Sequence, residues 1–247
     1  MKIKFHGVSN GYAYENQNLG CICLDDKILL DCGITNFPRP YFDSLDALFL
    51  SHGHKDHIVG ISSLTLGLAV ETDRKARKER DFCIYSPAGI KEKIEDRIDS
   101  TYKDRVGIIE LNPGDKFRFL DEYEIKTAKV EHKGDCLAYR FEKDGKSFVY
   151  TGDAVPSQEV IDLSKNVDVL IHEASFVNKF KEKASSWKHS TSEQAAEVAQ
   201  KSGAKTLILT LISPHVRLNN MEEYLTEAQN VFLGKIIIAS EGLIYEL

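Results

Sequence analysis

The sequence of 247 residues is poor in proline, has an odd handful of cysteines, and carries no excess of positive charge. Six prolines beside 16 glycines, with no biased stretch, exclude a collagen-like or proline-rich chain. Its longest apolar stretches, such as Ile236-Ile237-Ile238-Ala239, fall far short of the roughly 20 residues of a membrane span, so no membrane partner is expected. Lys and Arg number 32 against 38 Asp and Glu, a net charge of −6. A general nucleic-acid coat is thereby excluded, and any polyanion must be met by a local basic patch. Met1-Lys2-Ile3-Lys4-Phe5-His6 leads straight into a strand pattern without the apolar core of a secretory signal. Five cysteines make an odd set for a disulfide framework, so reduced thiols and a cytoplasmic location are expected. What remains, 42% hydrophobic and 28% charged, describes a globular protein. A single domain over residues 1–247, built from two halves, is long enough to bury a core.

The first third alternates as strands and turns. Gly20 to Leu24 pairs with Lys27 to Asp31 across Asp25-Asp26, and Asp46 to Ser51 is a short buried strand. A helix is expected from His57 to Val70 and another over Gly89 to Asp99, where Ile90, Ile94 and Ile98 recur every four residues. Strands return at Val106 to Leu111, Lys116 to Leu120, Glu124 to Glu131, Leu137 to Glu142 and Ser147 to Thr151, the last two joined by an Asp144-Gly145 hairpin. Beyond Gly152, helices at Ser157 to Leu163, Ser192 to Lys201 and Met221 to Leu233 alternate with strands at Val167 to Ile171, Thr206 to Leu211 and Lys235 to Ala239. Two successive series of strands and helices imply two β-rich layers with helices outside, an α+β chain.

The most informative stretch is Ser51-His52-Gly53-His54-Lys55-Asp56-His57, three imidazoles and a carboxylate directly after a strand. Imidazole nitrogen and carboxylate oxygen suit zinc and similar divalent metals, and strand ends hold side chains near one point while leaving room for substrate. The same rule finds further candidates where apolar strands end: His132 after Glu124 to Val130, Asp153 after Phe148 to Gly152, and Glu173 after Val169 to His172.

These motifs resemble the metallo-β-lactamase superfamily, and within it the ribonuclease Z branch of zinc phosphodiesterases. Leu30-Asp31-Cys32-Gly33 matches the first motif, His52-Gly53-His54-Lys55-Asp56-His57 the HxHxDH signature, Val130-Glu131-His132 the third, and Thr151-Gly152-Asp153 the fourth. His172-Glu173-Ala174-Ser175-Phe176 and His189-Ser190-Thr191-Ser192-Glu193-Gln194 resemble stretches typical of ribonuclease Z. The resemblance spans almost the whole chain. It implies a four-layered αβ/βα sandwich with two Zn2+ ions, Mn2+ or Fe2+ being alternatives, at one edge. On this basis His52, His54 and His132 hold one metal, Asp56 and His57 the other, and Asp153 bridges them. Asp56 also orients the attacking water, while Glu173 and His189 form a pair that protonates the departing oxygen. Asp31 is expected to support the ligands. Ser190 is expected to be the N-cap of a capping box at the following helix. A phosphodiester substrate such as an RNA 3′ end is the implied partner, and a homodimer is an admissible state.

Two features depart from the family pattern. In Leu207-Ile208-Leu209-Thr210-Leu211-Ile212-Ser213-Pro214-His215, Leu211 stands where the family has its last histidine ligand. His215, four residues on, is the candidate replacement. Only Lys133 to Gly152 separates the third and fourth motifs, leaving no room for the extended tRNA-gripping arm. Basic residues nonetheless cluster at Arg74-Lys75-Ala76-Arg77-Lys78-Glu79-Arg80, and at Lys179, Lys181, Lys183 and Lys188, the second group being the better placed to steer phosphate. The alternatives are the same chemistry on a small phosphodiester such as a cyclic nucleotide, or a metal-binding protein that has lost catalysis.

Overall fold

The computed structural model describes residues 1–14, 17–73 and 82–247, so the basic run over 74–80 lies outside the described residues. The first half contains β1 (Lys2–Gly7), β2 (Cys21–Leu24), β3 (Ile28–Leu30), α1 (Arg39–Ser44), β4 (Ala47–Phe49), α2 (Lys55–Ile58), α3 (Ile61–Asp73), β5 (Phe82–Pro87), α4 (Lys91–Glu95) and β6 (Val106–Leu111). The second contains β7 (Lys116–Phe119), β8 (Tyr123–Lys129), β9 (Leu137–Lys143), β10 (Lys146–Tyr150), α5 (Gln158–Leu163), β11 (Val169–Glu173), α6 (Lys181–Trp187), α7 (Ser192–Ser202), β12 (Thr206–Thr210), α8 (Pro214–Asn219), α9 (Met221–Gln229), β13 (Lys235–Ile238) and β14 (Ile244–Glu246).

The strands form two seven-stranded sheets, in the orders β14-β1-β2-β3-β4-β5-β6 and β13-β12-β11-β10-β9-β8-β7. Each begins as an antiparallel meander and continues as parallel strands: β3 to β6 in the first, β10 to β13 in the second. Asp25 and Asp26 both adopt positive φ (50° and 56°), as do Asp144 and Gly145 (53° and 72°), the geometry that lets a two-residue turn follow the strand twist. Both expected hairpins therefore form.

Three apolar clusters fill the spaces between four layers. Ile3, Phe5, Leu30, Phe49, Tyr139, Phe141, Phe148 and Ile171 meet between the sheets, where Phe49 stacks on Tyr85 at 4.4 Å. Leu48, Ile61, Leu64, Leu68 and Ile94 pack the first sheet against α1, α3 and α4. Leu170, Leu207, Ala195, Val198, Ala199 and Tyr224 pack the second against α5, α7 and α9. This is the four-layered αβ/βα sandwich.

Where local winding differs from expectation, tertiary contacts decide it. The helix expected from His57 is two helices, because Gly60 lies against the backbone of residues 32–34: its N–H donates to the Cys32 carbonyl at 2.8 Å, and a Cβ there would stand 1.8 Å from the Ile34 oxygen. The stretch 89–99 keeps only α4 as regular helix, although Ile90, Ile94 and Ile98 are all buried as their spacing requires. The capping box is shifted by one residue. Thr191 rather than Ser190 caps α7, its hydroxyl accepting from Gln194 N while Gln194 returns the bond to Thr191 N. The Ser190 hydroxyl is instead turned to the Ala154 carbonyl, to which it donates at 2.6 Å. Cys21, Cys23 and Cys32 are buried beneath the first sheet as packing residues.

Candidate metal centre

The site lies where strands of both sheets end. His52, His54, Asp56 and His57 follow β4 into the first turn of α2, His132 follows β8, Asp153 follows β10, and Glu173 closes β11. Ligand atoms of His52, His54, His132 and Asp153 lie within 4.8 Å of one another, and Asp56, His57 and Asp153 form a second such set. Asp153 belongs to both. Its Oδ2 lies 3.7 Å from His52 Nε2 and 3.6 Å from His132 Nε2, while Oδ1 lies 3.4 Å from His57 Nε2. A third set joins Asp153 to Glu173 and His189.

His52, His57 and His132 are each turned inward by a partner on the far nitrogen. Asp31, fully buried, accepts from His57 Nδ1 at 2.7 Å, from Ser51 N and Oγ at 2.7 Å each, and from the Tyr150 hydroxyl at 2.6 Å. Because the Ser51 hydroxyl donates to Asp31, it is left to accept from His52 Nδ1 at 3.0 Å, which directs a bare His52 Nε2 into the cluster. The Lys188 carbonyl accepts from His132 Nδ1 at 2.7 Å, so His132 Nε2 faces His54 Nδ1 at 3.2 Å. Fixing the tautomer through the remote nitrogen is how ligating histidines are oriented.

The charge balance follows from this packing. Burial, reinforced by the neighbouring His57, holds His52 well below the usual imidazole range and therefore neutral. Burial alone would do the same to His57, but Asp153 and Asp31 outweigh it and raise its proton affinity. Burial likewise opposes the Asp153 carboxylate, yet His57 and His189 hold it ionised. His189 is half-enclosed; burial would lower it, but Glu173 Oε1 at 2.7 Å from Nδ1, with Asp153 behind, raises it to about 9. Glu173 is itself locked by Ala154 N and by Ser175 N and Oγ, each at 3.0 Å.

A divalent cation fits these residues. His52 Nε2 is fully enclosed and has no hydrogen-bond partner among the described residues, a costly state for a buried nitrogen unless a ligand completes it. His52 and His54, kept neutral by burial and converging on the ionised Asp153 carboxylate, are the donor chemistry that zinc and its neighbours bind.

His215 is not brought to this cluster. It sits in α8, exposed, with its ring 5.7 Å from Phe180. The position after β12 is filled by Leu211, buried and in the left-handed region (φ 52°), with Cδ2 only 2.5 Å from where a Cβ on Gly20 would stand and the His57 ring just beyond. Of the basic group after Glu173, Lys179 pairs with Glu223 and Lys188 with Glu131.

One residue of the site has no counterpart among the expected ones. Asn10 Nδ2 donates to Asp153 Oδ1 at 3.3 Å and to Ser175 Oγ at 2.7 Å, and lies 3.5 Å from His189 Nδ1, so one amide touches both the shared carboxylate and the imidazole pair. Its neighbour Gly11 donates from its N–H to Asp56 Oδ2 at 2.9 Å. Only a turn-like Ser9-Asn10-Gly11 marks the place in sequence.

The arrangement defines a metal-dependent hydrolase: two overlapping donor sets at the edge of an αβ/βα sandwich, beside a carboxylate-held imidazole. Residues 26–211 match the family model described as the Beta-lactamase superfamily domain, and the chain belongs to that superfamily. Among curated proteins it is 28% identical to ribonuclease Z of Haloarcula marismortui over 98% of this chain and 96% of that one. It is 26% identical to ribonuclease BN of Proteus mirabilis over 94% and 95%. Among solved structures, the metallo-β-lactamase fold protein YhfI of Bacillus subtilis superposes with a TM-score of 0.84 at 26% identity, covering 100% of this chain and 99% of that one. The short form of human tRNase Z does so with 0.76 at 18% identity over 100% and 99%, a likeness of fold.

Proposed function

We propose that this chain is a phosphodiesterase of the ribonuclease Z type, acting at RNA 3′ ends with two divalent cations, zinc in first place and manganese or iron as substitutes. The observation that carries the reading is the Glu173–His189 pair, hydrogen-bonded at 2.7 Å and 3.9 Å from Asp153. Hydrolysis of an activated ester needs no such donor. Expulsion of a ribose alkoxide does.

His52, His54 and His132 with Asp153 would hold one cation, and Asp56 and His57 with Asp153 the other. Cations held there supply the positive charge that acidifies a water and stabilises the charge building on a phosphoryl group. Asp31 keeps His57 in the tautomer whose Nε2 faces the site. Asp56, fixed by the Gly11 N–H, stands at the mouth of the cluster, where its second oxygen can orient the attacking water. Glu173 accepts the Nδ1 proton of His189 and so leaves Nε2–H as the donor to the departing oxygen. Asn10 keeps His189 and Asp153 at a constant spacing.

A second reading, the same chemistry on a small phosphodiester, is favoured by one observation: β9, β10 and their two-residue turn take up most of residues 133–152, leaving no RNA-gripping extension there. Purified protein supplied with zinc or manganese should bind more than one equivalent of metal per chain. It should cleave a 3′-extended tRNA precursor faster than a dinucleotide, the reverse order favouring the second reading. His54→Ala should remove most of the metal and the activity. Full activity in metal-stripped wild type, or no cleavage of any phosphodiester by the loaded protein, would overturn the proposal.

A further inference from the structure

Beside the metal centre lies a cavity of about 320 Å³. One wall is Asn10, Ser175 and His189, groups already in contact with Asp153 or Glu173. Most of the remainder is ring: Tyr12, Phe176, Phe180, Trp187 and His215. Phe176 meets Trp187 edge to face at 6.1 Å, and Phe180 meets His215 at 5.7 Å. Lys183 Nζ stands 4.7 Å from the centre of the Trp187 ring and 5.8 Å from that of Phe176, bringing a cation to the cavity. Trp187 is 50% exposed and Tyr12 60%, large apolar surface that does no packing for the core. The same turn sets the ring wall and the proton donor: Trp187 ends α6, Lys188 turns back with φ 62°, and His189 follows.

We infer that this cavity is a subsite for a nucleobase, the flat ring of the nucleotide that departs from the scissile phosphate. The inference rests on the phosphodiesterase reading and assigns it a substrate class. A leaving group protonated by His189 must lie on the side of the site that His189 shares with the cavity. Aromatic walls accept any base, because every base presents a π-face. Among the described residues the lining carries Lys183 and two imidazoles and no carboxylate, which suits a ring bearing carbonyl oxygens and tethered to phosphate. Its volume, at the low end of the about 300–1,000 Å³ of small-ligand pockets, suits one nucleoside.

Trp187 is the sole tryptophan of the chain, so its fluorescence reports this cavity alone. The zinc-loaded full-length chain is titrated with adenosine 5′-monophosphate, adenosine and ribose 5-phosphate. The two adenine ligands should quench Trp187, the monophosphate more tightly, and the sugar phosphate should not. Phe180→Leu, which keeps the reporter, should weaken the monophosphate by about 5- to 100-fold, the range one stacking ring contributes. Lys183→Ala, on an exposed helix surface, gives a second variant and should weaken the monophosphate more than adenosine. No quenching by either adenine ligand, or an equal response to ribose 5-phosphate, overturns the inference. Cleavage of a dinucleotide without quenching by adenine ligands would fail the subsite and leave the phosphodiesterase reading intact. Quenching by a loaded protein that cleaves no phosphodiester would fail that reading while the base-binding cavity stands.

Discussion

Asp31→Asn is the sharpest test of how the scaffold serves the metal centre, because the two side chains have one shape and Asn tolerates the left-handed conformation (φ 56°) as readily as Asp. The carboxylate accepts four hydrogen bonds, three of them converging on Oδ2 from Ser51, His57 and Tyr150. An amide keeps one oxygen. Whichever way it is placed, its NH2 points at a donor, Ser51 N in one orientation and the three-donor cluster in the other. One partner is left unsatisfied in full burial and the anionic charge facing His57 is lost. Hydrogen bonds to charged groups contribute about 1.5–3 kcal/mol, and breaking one side of a buried pair costs about 3–5 kcal/mol. For a domain of this size each kcal/mol moves the melting point by about 2–4 °C, so Tm should fall by roughly 6–20 °C. A second effect is local. His57 loses the partner that fixes its tautomer, so metal affinity at the Asp56–His57–Asp153 set should drop about 10–100-fold while the His52–His54–His132 set is less affected. Calorimetry of metal-depleted and metal-loaded protein separates the two effects. A Tm within 2 °C of wild type, with unchanged metal affinity at both steps, would refute the assignment of Asp31 as the support of the site.

Three other perturbations follow from the geometry. His189→Ala should lower turnover on RNA by about 10²–10⁴ with metal content unchanged, and should affect a nitrophenyl phosphodiester far less, because nitrophenolate departs without a proton; equal losses on both substrates would remove His189 from the proton-donor role. Leu211→His should tighten the second metal-binding step in a calorimetric titration, since position 211 already holds the left-handed backbone that His adopts more readily than Leu, and its side chain and the His57 ring both lie within 4 Å of one point beside Gly20; an unchanged second step would show that the strand end is not aimed at the site. Burial, aided by Lys4, lowers His6 to about 4 against 6.5 unfolded, so the unfolded chain takes up the proton first and stability should fall between pH 6.5 and 4; His6→Asn, measured by urea midpoint at pH 7 and 5, should show a shallower fall than wild type.

The parts of the site legible in sequence are those a strand end delivers by itself. His52, His54, Asp56 and His57 fall within six residues at one strand end, and His132, Asp153 and Glu173 each terminate an apolar run, so residue type and position sufficed to nominate them. Asn10 was not legible, because its role comes from a turn held beside β12 by an isolated Ser9–Ile212 bridge between residues distant in sequence. His215 misled for the converse reason: nearness along the chain to Leu211 is not nearness in space once Pro214 starts α8 and carries the histidine outward. Fold class and hairpins were legible from period and turn chemistry, whereas α6 was not, its Lys181-Glu182-Lys183-Ala184-Ser185-Ser186-Trp187 having one buried residue and no apolar stripe to read.

The pairing of β1 with β14 bears on how the chain is made. On the edge of β1 away from β2, Lys2, Ile3 and Lys4 pair with Glu246, Tyr245 and Ile244, and Ile3 and Phe5 pack in the same core as Ile208 and Ala239. At 5–20 residues per second, the partner strand of β1 emerges from the ribosome about 12–50 s after β1 itself. For that interval one edge of the first sheet is an open template for wrong partners. Lys2 and Lys4 alternate with the buried Ile3 and Phe5, placing positive charge along the waiting strand, the means by which sheet edges are kept from joining one another.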